Sequence, residues 1–280
     1  MKKLNLCLAA PSFFPTYGGA ELRFFRYLPG LRARSIDTRI VTGTPTAHQH
    51  TASGHAEEWQ QNRVGDILES ATPDGTPVHR VRLPDEKGWR RAVLFNQTVA
   101  RYCQQADHRA DVLQLVTGLR PLTIPWIRYL PARRIAVVYA VTIAPRQKNL
   151  SKNRFKHVYR AWLSRELYNQ LDCIITNNTP LRDIIREIGV TTPVEVIPNG
   201  VDMQRFQPPG AGAEHRELRL SLGVTEGDFL VTTVGAVTPR KGSDLLLEAW
   251  LNIAERFPSA HLGLIGPRTD LQNPKFTAFR

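Results

Sequence analysis

Apolar positions along the chain follow two alternating rhythms. Short runs of β-branched and aliphatic residues, closed by polar or Gly/Pro punctuation, predict strands at Leu4–Ala9, Thr38–Thr42, Val78–Leu83, Val112–Val116, Ile135–Thr142, Cys173–Thr176 and Val194–Ile197. Between them lie longer stretches with apolar residues at helical spacing, at Trp89–Ala106, Arg154–Gln170 and Pro180–Ile188. Phe155, Val158, Trp162, Leu163 and Leu167 of the second are expected to form a core-facing stripe. Strands alternating with helices are the pattern of an α/β fold with a parallel sheet and crossover helices. The stretch from Pro45 to Pro77 breaks the rhythm, being rich in His, Gln, Thr and Gly, and is expected to be a long loop. Its His48, His50 and His55 have no helix or strand to gather them, so they are read as solvated rather than as metal ligands.

The rhythm restarts after Asn199-Gly200. Residues 1–206 are expected to form an amino-terminal Rossmann-like domain, 207–213 (Gln-Pro-Pro-Gly-Ala-Gly-Ala) a linker, and 214–280 the beginning of a second Rossmann-like domain. In that second part the pattern predicts helices at Glu214–Leu222 and Ser243–Phe257 and strands at Phe229–Val237 and His261–Ile265. Leu246, Ala249, Trp250, Ile253, Ala254 and Phe257 share one helical face, with Ser243 placed to cap it.

Composition narrows the class. With 280 residues, 42% hydrophobic and 22% charged, the chain is an ordinary globular protein. Its net charge of +12, carried mostly by arginine, suits contact with phosphate or carboxylate groups. Cys7, Cys103 and Cys173 are far apart and odd in number, with no Cys-x-x-Cys pair, which excludes a disulfide framework and points to a reducing compartment. The opening Leu4–Ala10 run contains Asn5 and reads as a strand rather than as a signal peptide. No apolar stretch approaches the roughly 18 residues of a membrane span, so any membrane contact is peripheral.

In an open α/β sheet, ligands bind beyond the carboxyl ends of the strands. The segment after the first strand ends in Gly18-Gly19 at the mouth of a helix, where free N–H groups and the helix dipole favour an anion. The corresponding loop of the second part runs from Gly235 to Gly242 and places Arg240 and Lys241 at a helix start. Cations there oppose the helix dipole unless an anion neutralises them. A diphosphate held by both loops would give the two features one purpose.

Tyr17-Gly18-Gly19-Ala20-Glu21, the Asp172–Asn177 strand leading to Val196-Ile197-Pro198-Asn199-Gly200-Val201-Asp202, and Gly235 followed by Lys241-Gly242-Ser243-Asp244 together resemble glycosyltransferase family 4. The resemblance implies a GT-B enzyme, with the acceptor bound by the first domain and a UDP- or GDP-linked sugar by the second. Transfer would retain anomeric configuration and need neither metal nor a cofactor beyond the nucleotide sugar. Gly18, Gly19, Arg240 and Lys241 would meet the donor diphosphate, and Thr142, Asn199 and Gly235 would line the cleft; no catalytic residue is assigned. Three positions depart from the family pattern. Ala236 stands where an Arg is common, leaving Arg240 as its substitute, and Thr142 stands where a His is common. The family's paired glutamates would lie beyond Arg280, so the donor domain is expected to be truncated.

The basic run from Arg146 to Arg165 suits an anionic acceptor or lipid headgroups, so the expected location is cytoplasmic, peripheral at the inner face of the membrane. No aromatic-interleaved basic motif accompanies it, and nucleic acid is not expected as a partner. The functional expectation is transfer of a sugar to a glycan or lipid-linked acceptor; the alternative is a non-catalytic remnant or acceptor-binding module.

Overall fold

The computed structural model describes residues 3–16, 19–45, 62–84, 89–116, 130, 132–138, 154–204, 206–207 and 213–266. The chain divides into two compact units, 1–200 and 201–280, so the division falls at Gly200, ahead of Phe206.

The first unit runs β1 (Leu4–Ala10), α1 (Gly19–Ala33), β2 (Ile36–Gly43), β3 (Ile67–Ala71), β4 (Pro77–Val81), α2 (Trp89–Gln104), β5 (Val112–Val116), β6 (Arg133–Val138), α3 (Arg154–Tyr168), β7 (Cys173–Thr176), α4 (Thr179–Glu187) and β8 (Val194–Val196). The strands form one sheet in the order β3-β4-β2-β1-β5-β6-β7-β8. Every neighbouring pair is parallel except β3 with β4.

The sheet is parallel because its strands are apolar on both faces. Along β1, successive residues point to opposite sides. Leu8 and Ala10 join Ile40, Val78, Val116 and Val137 against Phe24 and Leu28 of α1. Cys7 and Ala9 join Val41, Leu113, Leu115 and Ile174 against Phe95 and Val99 of α2 and Leu181 and Ile185 of α4. Each large aliphatic side chain fully buried this way contributes on the order of 2 kcal/mol. Such a sheet can be built only with helices on both sides, which the crossover connections supply.

Polar residues pin the amino ends of the strands. Asp111, just before β5, accepts from the backbone N–H of Asn5 at 2.9 Å and from its side-chain amide at 3.1 Å. Asp172, just before β7, accepts from the Arg134 N–H at 2.7 Å and from Arg134 Nε at 3.1 Å. Burial works to raise the Asp172 carboxyl, but the Arg134 bonds and the Arg134 and Arg133 charges hold it below the usual carboxylate range. At the start of α4, the Asn178 side chain caps the helix by accepting from the Leu181 N–H at 2.9 Å.

Three expectations are corrected. The Pro45–Pro77 stretch is not loop throughout, because Ile67–Ala71 forms edge strand β3, antiparallel to β4. Pairing across the turn at Gly75 (φ 82°) stabilises a segment whose alternating exposure gives little apolar signal. Of the α3 stripe, Leu167 is buried and Leu163 half-buried, whereas Val158 is 62% and Trp162 50% exposed, as is Tyr159 beside them at 60%; the Phe155 side chain lies outside the described residues. The third concerns Ser243, described with the second unit. His48, His50 and His55 lie outside the described residues, as does the Arg146–Asn153 part of the basic run.

The second unit contains α5 (Ala213–Ser221), β9 (Phe229–Val234), α6 (Ser243–Arg256) and β10 (Ala260–Ile265). β9 and β10 pair in parallel, from Phe229 opposite Ala260 to Val234 opposite Ile265. Before β9, Asp228 accepts from the N–H and hydroxyl of Thr225, both at 2.6 Å, and lies 3.6 Å from His261 Nε2. Ser243 does not cap α6. The preceding residues Pro239–Lys241 close a 3₁₀ turn, and the chain enters the helix through Gly242 in the left-handed region (φ 74°), which places Ser243 inside the helix and buries it. Apolar positions of this unit, among them Phe229, Val234 and Phe257, are exposed.

On the α2 face, His79 of β4 packs against Tyr102 with ring centroids 4.6 Å apart, and Tyr102 stacks on His108 at 4.1 Å. Burial, then the neighbouring His108 and Arg39, lowers the His79 pKa below 6.5, against an upward pull from Glu69. The native state therefore binds the proton less readily than the unfolded chain. Its contribution to stability is complete above about pH 6.5 and is lost as pH falls toward the depressed native value. Thermal melts between about pH 7.5 and 5.5 are expected to show a falling Tm that is flatter in His79→Gln.

Candidate functional site

The carboxyl ends of β1, β2 and β4 converge on one edge of the first unit, and the residues there decide what the site can hold. After β1 the chain turns at once: the Thr16 N–H donates to the Phe13 carbonyl at 3.1 Å, and Phe13 is buried. The Phe14 ring stacks on Phe25 of α1 at 4.9 Å, fixing the turn against the helix it feeds. Arg80, inside β4, donates from Nη2 to the Phe14 carbonyl at 2.6 Å and from Nε to Ser70 Oγ at 3.0 Å. Burial lowers the Arg80 guanidinium to about 10, so it keeps its charge at neutral pH.

Two glycines at this end differ in what they are for. Gly43 ends β2, and a Cβ there would lie 2.6 Å from Leu83 Cδ1 and 2.8 Å from the Pro11 carbonyl oxygen. Its place is a packing requirement that lets two chain segments approach. Gly19 opens α1, and a Cβ there would meet nothing within 4 Å. Gly19 is not among the glycines with positive φ, so neither packing nor backbone conformation demands glycine. What remains is open space beside the N–H groups of a helix start, where an anion can approach the backbone.

The chain returns to α1 after β8. Ile197 and Asn199 both accept hydrogen bonds from Arg23 of α1, which links the Ile-Pro-Asn-Gly segment to the helix that Gly19 opens. In the second unit, Gly235 (φ 149°) leaves β9 with its N–H on the Ile265 carbonyl at 2.8 Å. It packs backbone to backbone with Gly266, where a Cβ would lie 1.9 Å from the Gly235 oxygen. The loop then closes through Lys241 N–H to the Thr238 carbonyl at 3.0 Å and delivers Lys241, exposed, to the amino end of α6.

Of the residues singled out from sequence, Gly19 and Asn199 belong to one edge of the first unit, and Gly235 and Lys241 to one loop of the second. Gly18 and Thr142 lie outside the described residues, as does the Arg240 side chain. Among the described residues no group of three or more His, Cys, Asp or Glu could hold a metal ion. No helix there is long and apolar enough to cross a membrane.

Sequence reasoning missed Arg23, Gly43 and Arg80. A cation inside the apolar β4 run and a glycine closing β2 are signals of buried or close-packed positions. Arg23 gives no such signal, since Arg26, Arg32 and Arg34 of the same segment are equally basic.

A doubly wound parallel sheet with glycine loops at its carboxyl ends defines a Rossmann-like fold. The sequence profile of Glycosyltransferase Family 4 matches residues 17–205, and the chain belongs to that family. It is 25% identical over 182 residues to D-inositol 3-phosphate glycosyltransferase of Corynebacterium jeikeium, covering 61% of this chain and 41% of that one. It is 37% identical over 79 residues to GDP-mannose-dependent alpha-(1-6)-phosphatidylinositol monomannoside mannosyltransferase of Mycolicibacterium smegmatis, covering 28% and 20%. The chain thus spans well under half the length of these relatives. Among solved structures, the catalytic domain of Starch Synthase IV from Arabidopsis thaliana, bound to ADP and acarbose, superposes with a TM-score of 0.60 at 13% identity, covering 95% of this chain and 69% of that one. A glycosyltransferase from Rickettsia africae gives 0.62 at 14%, covering 100% and 64%. These likenesses establish the fold as GT-B-like.

The two glycines make opposite predictions. In thermal or urea unfolding, Gly43→Ala is expected to lose about 1–3 kcal/mol through overpacking against Leu83 and Pro11, whereas Gly19→Ala is expected to stay within about 0.5 kcal/mol of the parent.

Proposed function

We propose that the chain is the acceptor-side domain and the start of the donor domain of a retaining glycosyltransferase, which moves a sugar from a UDP- or GDP-linked donor to a glycan or lipid-linked acceptor. The observation that carries this reading is Gly19: a glycine with no packing or conformational need, opening a helix at the carboxyl edge of the sheet in a family 4 chain. In the first unit Gly18 and Gly19 would leave room for an anion against the α1 N–H groups, and in the second Arg240 and Lys241 would meet a diphosphate at the start of α6.

The chemistry fits that division of labour. Breaking the bond between the anomeric carbon and the diphosphate oxygen leaves negative charge on the departing nucleoside diphosphate, while the acceptor hydroxyl oxygen forms the new bond and passes its proton to that departing diphosphate. Stabilising the leaving group lowers this barrier, and cations with preorganised N–H donors do so without a metal. Asn199, with Thr142, would serve the acceptor in the first unit, and Gly235 the donor sugar in the second.

For the acceptor, a lipid-linked sugar is favoured by the exposed Val158, Tyr159 and Trp162 on α3. These lie at helical spacing on a helix that also carries Arg154, Lys156, Arg160 and Arg165 in its sequence. Aromatic side chains beside cations suit the headgroup region of an anionic bilayer. One similar protein is named as an alpha-monoglucosyldiacylglycerol synthase, from Streptococcus pneumoniae.

Calorimetric titration of residues 1–280 with UDP and GDP tests the donor site. Saturable binding of one nucleotide is expected, weakened about tenfold in Lys241→Ala and abolished in Gly19→Trp. No binding by the folded chain would overturn the donor reading and leave an acceptor-binding module. Sedimentation with vesicles tests the acceptor side: binding to phosphatidylglycerol-containing vesicles, but not to pure phosphatidylcholine, is expected to fall severalfold in Trp162→Ser. Equal binding to both, or none, would remove the membrane.

A further inference from the structure

Arg23 lies in the second turn of α1 and reaches the segment that follows β8, more than 170 residues along the chain. Its Nη1 donates to Asn199 Oδ1 at 2.9 Å and its Nη2 to the Ile197 carbonyl at 3.0 Å. The other side of Ile197 is also held, because its N–H donates to the Thr176 carbonyl of β7 at 2.8 Å. Ile197 is therefore fastened through its N–H to the sheet and through its carbonyl to α1, with Pro198 restricting the backbone next to it. At Gly200 a Cβ would meet nothing within 4 Å, and the chain there leaves the first unit.

We propose that Arg23 is a positioning residue. It fixes the exit of the chain from the first unit to the same helix whose first turn offers its N–H groups to the donor diphosphate. This rests on the donor reading above for its purpose, since it makes one side chain the mechanical link between the anion-binding turn and the covalent connection to the donor unit. A guanidinium suits the task where an ammonium would not: its planar fork presents two donors at fixed separation to two acceptors two residues apart. It also explains why Asn occupies position 199, where the side-chain amide supplies the oxygen that Arg23 Nη1 meets.

The test is hydrogen–deuterium exchange on the full 280-residue chain, read beside UDP and GDP titration. In Arg23→Ala, the amides of β8 and of Ile197, which donates to the Thr176 carbonyl, are expected to exchange about five- to tenfold faster, while those of β1 and β5 stay at parent rates. Asn199→Ala removes one of the two bonds and is expected to give a smaller rise at the same amides, and Arg23→Lys to recover part of the protection. If Arg23→Ala fails to fold, Asn199→Ala decides. Parent-like exchange at β8 and Ile197 in both variants would overturn the proposal, as would acceleration spread evenly over the sheet. Where the parent binds a nucleotide, Arg23→Ala should weaken it; faster exchange with unchanged affinity would also overturn the link. If the parent binds neither nucleotide, the donor reading fails, and local exchange alone decides whether Arg23 fastens the exit.

Discussion

A parallel sheet buried on both faces is the constraint from which the rest of the first unit follows. Strands such as β1 offer no polar side to water, so helices must cover both faces, and polar groups gather at strand ends, with His79 and Arg80 of β4 among the exceptions. The amino ends use this for stability, through Asp111 with Asn5 and Asp172 with Arg134. The carboxyl ends are where the chain can expose backbone N–H groups to a ligand, and there the packing requirement relaxes.

That division appears in the glycines. Gly43 is needed so that β2, Leu83 and Pro11 can meet, a demand of the core reaching out to its edge. Gly19, a short distance away in the fold, answers no such demand. The buried Arg80 mediates between the two regimes: its guanidinium lies within the β4 layer yet holds the Phe14 carbonyl of the turn that leads to α1. Charge placed in a core is costly unless hydrogen-bonded, and here it is spent on shaping a loop.

The second unit presents the same βα rhythm around a two-stranded sheet, with Gly235 and Gly266 in close backbone contact and Gly242 turning the chain into α6. Its apolar positions at Phe229, Val234 and Phe257 are exposed, whereas strand positions of the first unit such as Leu8, Ile40, Val78 and Leu113 are fully buried. Family 4 membership, carried by residues 17–205, accordingly concerns the first unit.

Most of the fold was legible in the sequence because it depends on local periodicity. β5 and β7 match their expected bounds, β1 differs by a residue at one end and α4 by a residue at each end, since an apolar run bounded by turn residues specifies a buried strand whatever it pairs with. Strand β3 was not legible, because its partner rather than its own composition stabilises it. The outward turn of Val158 and Trp162 was hidden for a related reason: periodicity identifies a helix face but not what stands opposite it. At the site, the sequence by itself determined the glycine loops, the Lys241 turn and the Ile-Pro-Asn-Gly segment. Only the tertiary structure decided that Gly43 serves packing while Gly19 does not, and that Arg23, one arginine among many, meets Asn199. Those facts depend on which atoms face each other across the sheet, and no spacing along the chain encodes that.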